Sequence, residues 1–277
     1  MDKLILKPGK DRSVFRLHPW IFSGAIAKGE GELQEGNLVK VFSSDNQYLA
    51  TGHCQIGSIA VRILTFQDET IDYNFWRNRI AAAWQMRKNL GLTDSATTNA
   101  FRLIHGEGDY LPGLVVDYYA GVAVVQFHSV GMFLEKENIT KALLEVLGDK
   151  LTAIYDKSES TLPHKAAITP QNGYLYGKAE NFIAMENGLK FNVDWLEGQK
   201  TGFFIDQREN RSLLEKYARD KNVLNMFCYT GGFSFYAMRG GAKLVHSVDV
   251  SARAIELTNQ NVELNFQNDS RHEAFAE

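Results

Sequence analysis

The sequence predicts a multidomain protein of mixed α/β and α+β class, with a small β-barrel first, an α+β region next and a parallel α/β unit last. Short strand-like runs separated by turn residues fill roughly the first 70 residues. Strand-like and helix-like runs then alternate to about residue 180. Residues 221–265 have the order strand, glycine turn, helix, strand, acid, helix, which is typical of a βαβ unit.

The composition excludes several classes of protein. Of the 277 residues 44% are hydrophobic and 23% charged, and the formal net charge of −3 argues against indiscriminate polyanion binding. No run approaches the ~18 apolar residues of a membrane span, and the start MDKLILKP is no secretory signal. Two distant cysteines, Cys54 and Cys228, indicate a reducing compartment. We therefore expect a cytoplasmic protein with no membrane partner, and also no metal, because no second His or Cys stands at ligand spacing.

The barrel region begins with a basic segment. The first 28 residues hold six basic side chains against two acidic ones, next to His18-Pro19-Trp20. Aromatic rings beside basic groups are typical of RNA-binding surfaces, but a solvated charged face over a barrel with Trp20 in its core explains the composition equally well. In the following region, Phe75, Ile80, Ala83, Trp84 and Leu90 recur at roughly helical spacing and predict a helix over residues 74–92.

The glycine turn of the last region indicates a nucleoside site. Residues 223–228 are predicted to form a buried strand, and Ser251 to cap the helix that follows the second strand. Glycine lets backbone N–H groups approach a ligand, and an acid about 20 residues later suits a ribose; Asp249 follows Gly231 by 18 residues. Because the turn is not G-x-G-x-x-G, S-adenosylmethionine fits better than a dinucleotide with a pyrophosphate. An ordinary α/β crossover without a ligand is the alternative.

A second conspicuous stretch, EGQKTGFFIDQRENR, covers residues 197–211. Asp206 followed by Glu209 fits a capping box and predicts a helix from Gln207. Its aromatic side chains suit packing on adenine or on a target base, and its basic side chains suit phosphate. The alternative is a well-capped helix with a solvated basic face.

These motifs resemble a known family. GQKTGFFIDQRENR followed by NMFCYTGGFSFYA is similar to the PUA-domain-containing class I S-adenosylmethionine-dependent methyltransferases of ribosomal RNA, whose best-known members make 5-methylcytosine in 23S rRNA. RLHPWIFSGAI is similar to the family's PUA opening, and DYLPGLVVDYYAG to its middle domain. The resemblance implies a PUA-like RNA-binding barrel over 1–72, an α+β middle domain over 73–182 and the first part of a Rossmann-like methyltransferase domain over 183–277.

The resemblance also implies site residues. The cofactor loop would comprise Tyr229, Thr230, Gly231 and Gly232, and Asp249 would bind the ribose hydroxyls of S-adenosylmethionine. Further residues expected around the cofactor are Asn225, Phe227, Gln199, Lys200, Thr201, Phe203, Asp206 and Gln207. Residues expected at ribosomal RNA are Lys10, Arg12, Arg16, His18, Trp20, Arg208 and Arg211.

The sequence departs from the family at its end. The family continues with a DPP-type motif and a later catalytic cysteine, but Asp-Pro-Pro occurs nowhere in this chain. Cytosine C5 methylation needs a thiolate that adds to C6, whereas Cys54 and Cys228 are expected to be inert buried thiols. We therefore expect the catalytic residues beyond Glu277, and a chain that is inactive or severely impaired by itself. We also expect an unpaired edge at strand 223–228 that either pairs with another chain, for example in a homo-oligomer, or is poorly ordered.

Two other readings stay open. A nicotinamide-dependent oxidoreductase also has a βαβ unit with a terminal acid. A non-catalytic RNA-binding protein could retain the barrel together with a relic methyltransferase fold. Titration with S-adenosylmethionine and with NAD separates the first reading from a methyltransferase.

Overall fold

The computed structural model describes residues 2–163 and 168–277. The chain divides into two compact units, one of Met1–Gly91 and Arg102–Lys178 and the other of Leu92–Phe101 and Ala179–Glu277. Each unit has its own sheets and helices.

The first unit begins with a six-stranded sheet. Its strands are β1 (Asp2–Leu6), β2 (Trp20–Phe22), β3 (Ile26–Glu30), β4 (Leu38–Phe42), β5 (Tyr48–Cys54) and β6 (Ile59–Thr65). Their order in the sheet is β2-β6-β5-β4-β1-β3, and a short helix α1 (Arg12–Phe15) lies between β1 and β2. Alternate residues of β4 are buried, with Val39 and Val41 in a core shared with Leu4 and Leu6. The strand-rich start predicted from the sequence is therefore present.

Helix α2 (Tyr73–Asn89) follows this sheet. Asp72 caps it by accepting a hydrogen bond from the Phe75 N–H at 3.1 Å. Phe75, Ile80 and Ala83 are buried as their spacing predicted, whereas Leu90 lies just past the helix and is 67% exposed. The prediction that Leu90 belongs to the apolar face is wrong, because the helix ends one residue before it.

The rest of the first unit contains a five-stranded sheet. Its order is β11-β10-β9-β8-β7, with β9 and β10 parallel. These strands are β7 (Ala100–His105), β8 (Leu114–Tyr119), β9 (Val122–Phe127), β10 (Ala153–Asp156) and β11 (Gly173–Tyr176). The first two residues of β7, Ala100 and Phe101, belong to the second unit. Helices α3 (Val130–Leu134) and α4 (Lys136–Leu147) connect β9 to β10.

The second unit contains the predicted strand–turn–helix pattern. After the hairpin of β12 (Ile183–Glu186) and β13 (Leu189–Asn192) come helix α5 (Arg208–Tyr217), β14 (Asn222–Met226), α6 (Gly232–Arg239), β15 (Leu244–Asp249), α7 (Ala252–Asn265) and β16 (His272–Ala276). Strands β14, β15 and β16 form a parallel sheet in that order. The order and type of β14, α6, β15 and α7 were predicted, but β14 stops at Met226 because Phe227 has φ +57° and leaves the extended region.

Glycine and serine end and begin the helices of this unit. Gly241 has φ +88°, and its N–H donates to Met238 O at 3.1 Å, which ends α6. Ser251 accepts from the Ala254 N–H at 3.2 Å and caps α7, as predicted. Among the described residues β14 is an edge strand, and Leu224 and Met226 on it are 63% and 48% exposed.

Candidate functional site

The Asp249 carboxylate lies directly against the glycine turn. Oδ2 accepts a hydrogen bond from the Tyr229 N–H at 2.9 Å, and Oδ1 accepts one from the Ser251 N–H at 2.9 Å. Strands β14 and β15 are adjacent and parallel, so their carboxyl ends bring Tyr229 and Asp249 together. Each carboxylate oxygen can accept more than one hydrogen bond, so the half-buried group can still bind hydroxyl donors.

The turn itself has an unusual backbone. Phe227 (φ +57°), Tyr229 (φ +49°) and Gly231 (φ +81°) are all left-handed. Such a conformation is uncommon for residues with a Cβ and is concentrated at functional sites. The Phe227 ring is 88% exposed beside the turn.

Gly231 serves packing rather than ligand approach. A Cβ there would lie 2.6 Å from Phe235 Cζ and 2.8 Å from Thr258 Cγ2. The glycine therefore lets the turn sit against α6 and α7. Gly232 is less restricted, since its Cβ would lie 3.2 Å from Arg211 Cδ. The close approach expected at Gly231 is, in the structure, an approach to the side chains of Phe235 and Thr258.

Tyr229 holds a second segment against the turn. Its hydroxyl accepts from the Gln199 N–H at 3.0 Å and donates to Gly202 O at 3.2 Å, and its ring meets Phe204 edge-on at 5.4 Å. Burial raises the pKa of the Tyr229 hydroxyl, which therefore stays a neutral donor. At Gly198 a Cβ would lie 2.2 Å from Asp194 O, so the segment can follow this path only with glycine there. The predicted proximity of residues 198–204 to the turn is thus present.

A buried ion-pair network lies under this segment. Arg211 donates from Nε and Nη2 to the two Glu186 oxygens, each at 2.8 Å, and from Nη1 to Phe204 O at 3.0 Å. Arg208 donates from Nε to Glu186 Oε2 at 3.2 Å and also bonds to Ala100 O. The structure does not bring these two arginines to a surface where RNA phosphate could reach them as predicted; both guanidinium groups are committed to Glu186. Sequence reasoning missed Glu186, whose only signal is a lone acid at the end of an apolar strand.

The predicted capping box is wrong. Helix α5 begins at Arg208 after a short 3₁₀ turn, Ile205–Gln207, and no side chain caps either element. The Asp206 carboxylate instead accepts from Gln207 Nε2 at 3.0 Å. The buried pairing of Arg211 fixes this helix start instead.

Tyr229 lines two cavities. One, of about 280 Å³, is lined by Gln199, Tyr229 and Ser251 among others. The other, of about 260 Å³, is lined by predicted residues that include Phe203, Gln207, Phe227, Thr230 and Gly232. Asp249 lines neither, but hydrogen-bonds to two residues of the first.

Six predicted cofactor residues lie outside both linings, namely Asp249, Gly231, Asn225, Lys200, Thr201 and Asp206. Asn225 donates to Ser234 Oγ at 2.9 Å and thus faces α6. Thr201 is buried, and Lys200 and Asp206 are exposed. Phe203 lines the second cavity but is itself 6% exposed and packs under the Arg211 guanidinium at 4.6 Å. Gln199, Gln207 and the residues of the turn are therefore better candidates for ligand contact than Asn225, Lys200, Thr201, Phe203 and Asp206.

Neither cysteine is a ready nucleophile. Burial raises the pKa of the Cys228 thiol to about 11 and also raises that of Cys54. Within residues 2–163 and 168–277 no group of three His, Cys, Asp or Glu side chains could hold a metal ion. None of the helices in these two ranges has the length and hydrophobicity of a transmembrane span.

The basic N-terminal segment is exposed. Lys10, Arg12, Arg16 and His18 all lie at the surface of the first unit. Trp20 is half-buried, and its Nε1 donates to Glu107 Oε1 at 2.7 Å. The structure therefore groups four of the predicted RNA contacts, while Trp20 has a partner within the protein.

Comparison with known proteins places these features in a family. A family model described as a PUA-like domain matches residues 4–66, and one described as an S-adenosylmethionine-dependent methyltransferase matches residues 101–276. Ribosomal RNA large subunit methyltransferase I of Alteromonas mediterranea is 40% identical over 272 residues, which cover 97% of this chain and 68% of the relative. The protein of the same name from Aeromonas salmonicida is 39% identical over 95% of this chain and 66% of its own length.

A solved structure has the same fold. A SAM-dependent methyltransferase from Streptococcus mutans superposes with a TM-score of 0.83 at 24% identity, covering 99% of this chain and 70% of that one. The chain spans about two thirds of the length of the curated relatives. The sequence matches cover both the first sheet and the glycine turn. The chain therefore belongs to the S-adenosylmethionine-dependent methyltransferases that carry an N-terminal PUA-like domain.

Proposed function

We propose that this protein methylates ribosomal RNA of the large subunit, at cytosine C5 of 23S rRNA, and that S-adenosylmethionine binds at the glycine turn. The proposal is carried by the Asp249 carboxylate, which contacts the turn through the Tyr229 N–H at 2.9 Å. The rRNA substrate is supported by the relatives of 40% and 39% identity, whose names state it.

The residues around the turn fit a nucleoside ligand. Asp249 is positioned by two backbone N–H groups and keeps acceptor capacity for the two ribose hydroxyls. Tyr229 lines two cavities of about 280 and 260 Å³, close to the size of small-ligand pockets. The bound cofactor supplies an electrophilic methyl group, and the role of these residues is to bind and orient it.

The chemistry at cytosine needs a further group. A thiolate must add to C6 before C5 can accept a methyl group. Cys228 cannot provide it at neutral pH because burial raises the pKa of its thiol to about 11. We assign Cys228 a packing role in the turn and Cys54 one in the first sheet.

The domain limits and RNA surface complete the proposal. We propose a PUA-like barrel over 1–72, a middle domain over 73–182 and a methyltransferase domain over 183–277. The exposed Lys10, Arg12, Arg16 and His18 would contact RNA phosphates. The exposed β14 edge would pair with another chain. With rRNA as substrate, the protein would act in the cytoplasm.

Calorimetric titration with S-adenosylmethionine tests the cofactor site. Asp249→Ala is expected to weaken binding by about 1–3 kcal/mol, because the ribose hydroxyls lose their acceptor. Glu263→Ala, which removes an exposed acid of α7, is the control and should bind like wild type. Thermal unfolding checks that the loss of the two backbone contacts has not unfolded the turn. If Asp249→Ala binds S-adenosylmethionine as tightly as wild type, Asp249 is not part of the cofactor site. Tight binding of NAD without binding of S-adenosylmethionine favours an oxidoreductase instead.

A further inference from the structure

Another cavity, of about 510 Å³, lies wholly within the first unit. It opens between the end of β6 and the first turns of α2, and takes no part in the site at the glycine turn. Its size is within the range of pockets that hold small organic groups. The side chains that matter to the argument are Leu17, Gln67, Glu69, Asn78, Arg79 and Tyr110.

Two of these residues have a left-handed backbone. Leu17 has φ +60° and Tyr110 has φ +57°, and their side chains are 65% and 62% exposed. For a residue with a Cβ this conformation is strained, and glycine would make the same turns without that strain. Exposure of the large apolar side chains adds nothing to the core. Two costly residues at one cavity therefore point to a role for the side chains themselves.

Arg79 is a positioned cation in the same cavity. Its guanidinium carbon lies 5.0 Å from the Phe75 ring centre and 5.3 Å from that of Tyr110. Nη2 makes a long contact to Leu64 O at 3.4 Å, and no salt bridge to Arg79 is present among the described parts of the chain. The two rings hold a planar group whose remaining N–H donors can bind a phosphate bidentately.

The floor and wall of the cavity suit a base. Gln67 and Asn78 carry amides that can donate and accept, and Glu69, which accepts from Thr65 Oγ1 at 2.5 Å, can also accept from an exocyclic amine. The exposed Tyr110 ring offers a face for stacking. Leu17 directly follows the exposed Arg16, so one of the side chains proposed to contact RNA lies one residue from the cavity lining.

We propose that this cavity binds one nucleotide of single-stranded RNA, with the base on Tyr110 and Leu17 and its phosphate at Arg79. This second RNA contact rests on the proposed function, because it presumes an RNA substrate. It would hold a splayed-out nucleotide of the substrate and add to affinity without touching the cofactor.

Fluorescence anisotropy with a labelled single-stranded RNA of about ten nucleotides tests the proposal on the full chain. Tyr110→Asn removes the ring but tolerates the left-handed backbone, and should weaken binding about tenfold. Tyr110→Phe keeps the ring and should bind like wild type. Arg79→Gln should weaken binding and lower the slope of log K against log salt by about 0.7. Arg77→Gln is the matched control on α2, since Arg77 pairs with Glu145 outside the cavity, and should keep the wild-type slope.

The outcomes separate the two proposals. If wild type binds RNA and Tyr110→Asn and Arg79→Gln bind it equally well, the nucleotide cavity is refuted while the RNA substrate stands. If wild type binds no RNA, the proposed substrate fails and this inference fails with it. An unchanged circular dichroism spectrum and urea midpoint in both variants show that the first unit is folded, and ultraviolet crosslinking of the RNA to the peptide containing Tyr110 supports the site directly.

Discussion

We expect Glu186→Gln to destabilise the second unit strongly. The Glu186 side chain is fully buried, and its oxygens accept from Arg211 Nε and Nη2 at 2.8 Å each and from the Tyr236 hydroxyl at 2.9 Å. Arg208 Nε donates to the same carboxylate at 3.2 Å. Glutamine has the same shape but only one accepting oxygen, and its NH₂ would face guanidinium donors.

The magnitude follows from burial. The Arg211 side chain is 3% exposed, so its charge cannot be solvated when the carboxylate is gone. Removing one partner of such a pair costs about 3–5 kcal/mol, a large part of the stability of an ordinary domain. Glu215→Gln is the control: Glu215 also makes a two-bond pair, with Arg239 at 2.7 Å, but the side chains are 26% and 31% exposed. There we expect about 1 kcal/mol or less.

Urea unfolding followed by circular dichroism and by tryptophan fluorescence measures both variants. Trp195 is buried in this unit, whereas Trp20, Trp76 and Trp84 lie in the first unit, so the Trp195 signal is taken as the difference from the same variants carrying Trp195→Phe. The free energies of unfolding come from linear extrapolation of the transitions. If Glu186→Gln lowers the free energy of unfolding no more than Glu215→Gln does, the Glu186 carboxylate does not neutralise Arg211. The buried pair then does not fix the start of α5.

Three further predictions concern single side chains. Burial lowers the pKa of His53 to about 4 from a usual ~6.5. The folded state therefore keeps its full free energy of unfolding above pH ~6.5, where His53 is neutral in both states, and loses about 3 kcal/mol of it as the pH falls towards 4. The urea midpoint of His53→Gln should therefore depend less on pH, and an equal slope contradicts this. Cys228, with a thiol pKa of about 11, should react with iodoacetamide at pH 7 at least ~100-fold more slowly than a free cysteine, as mass spectrometry can measure; a normal rate shows an accessible thiolate. Gly202→Ala should destabilise by about 1–2 kcal/mol and speed proteolysis of the segment, because φ is +106° and the Cβ would lie 2.9 Å from Asp194. Gly24→Ala, with no atom within 4 Å of the Cβ, should change little, and equal effects would contradict the strain argument.

The sequence alone determined the local features of the last region. The Ser251 cap, the stop at Gly241 and the approach of Asp249 to the turn depend on residues close in sequence or on adjacent parallel strands. Few local structures accommodate a buried strand that is followed by a glycine turn and, at this spacing, an acidic residue. The resemblance of the two motifs to a known family was likewise evident from the amino-acid sequence.

Only the tertiary structure decided the roles of side chains whose partners are distant in sequence. Arg211 looks like a phosphate contact until Glu186, 25 residues away, is seen to bury it. Tyr110 and Leu17 are unremarkable letters, and their shared cavity exists only because the chain folds β6 and α2 together. Burial and contacts between distant residues depend on which faces of the helices and strands pack together. The order of residues along the chain does not specify that packing.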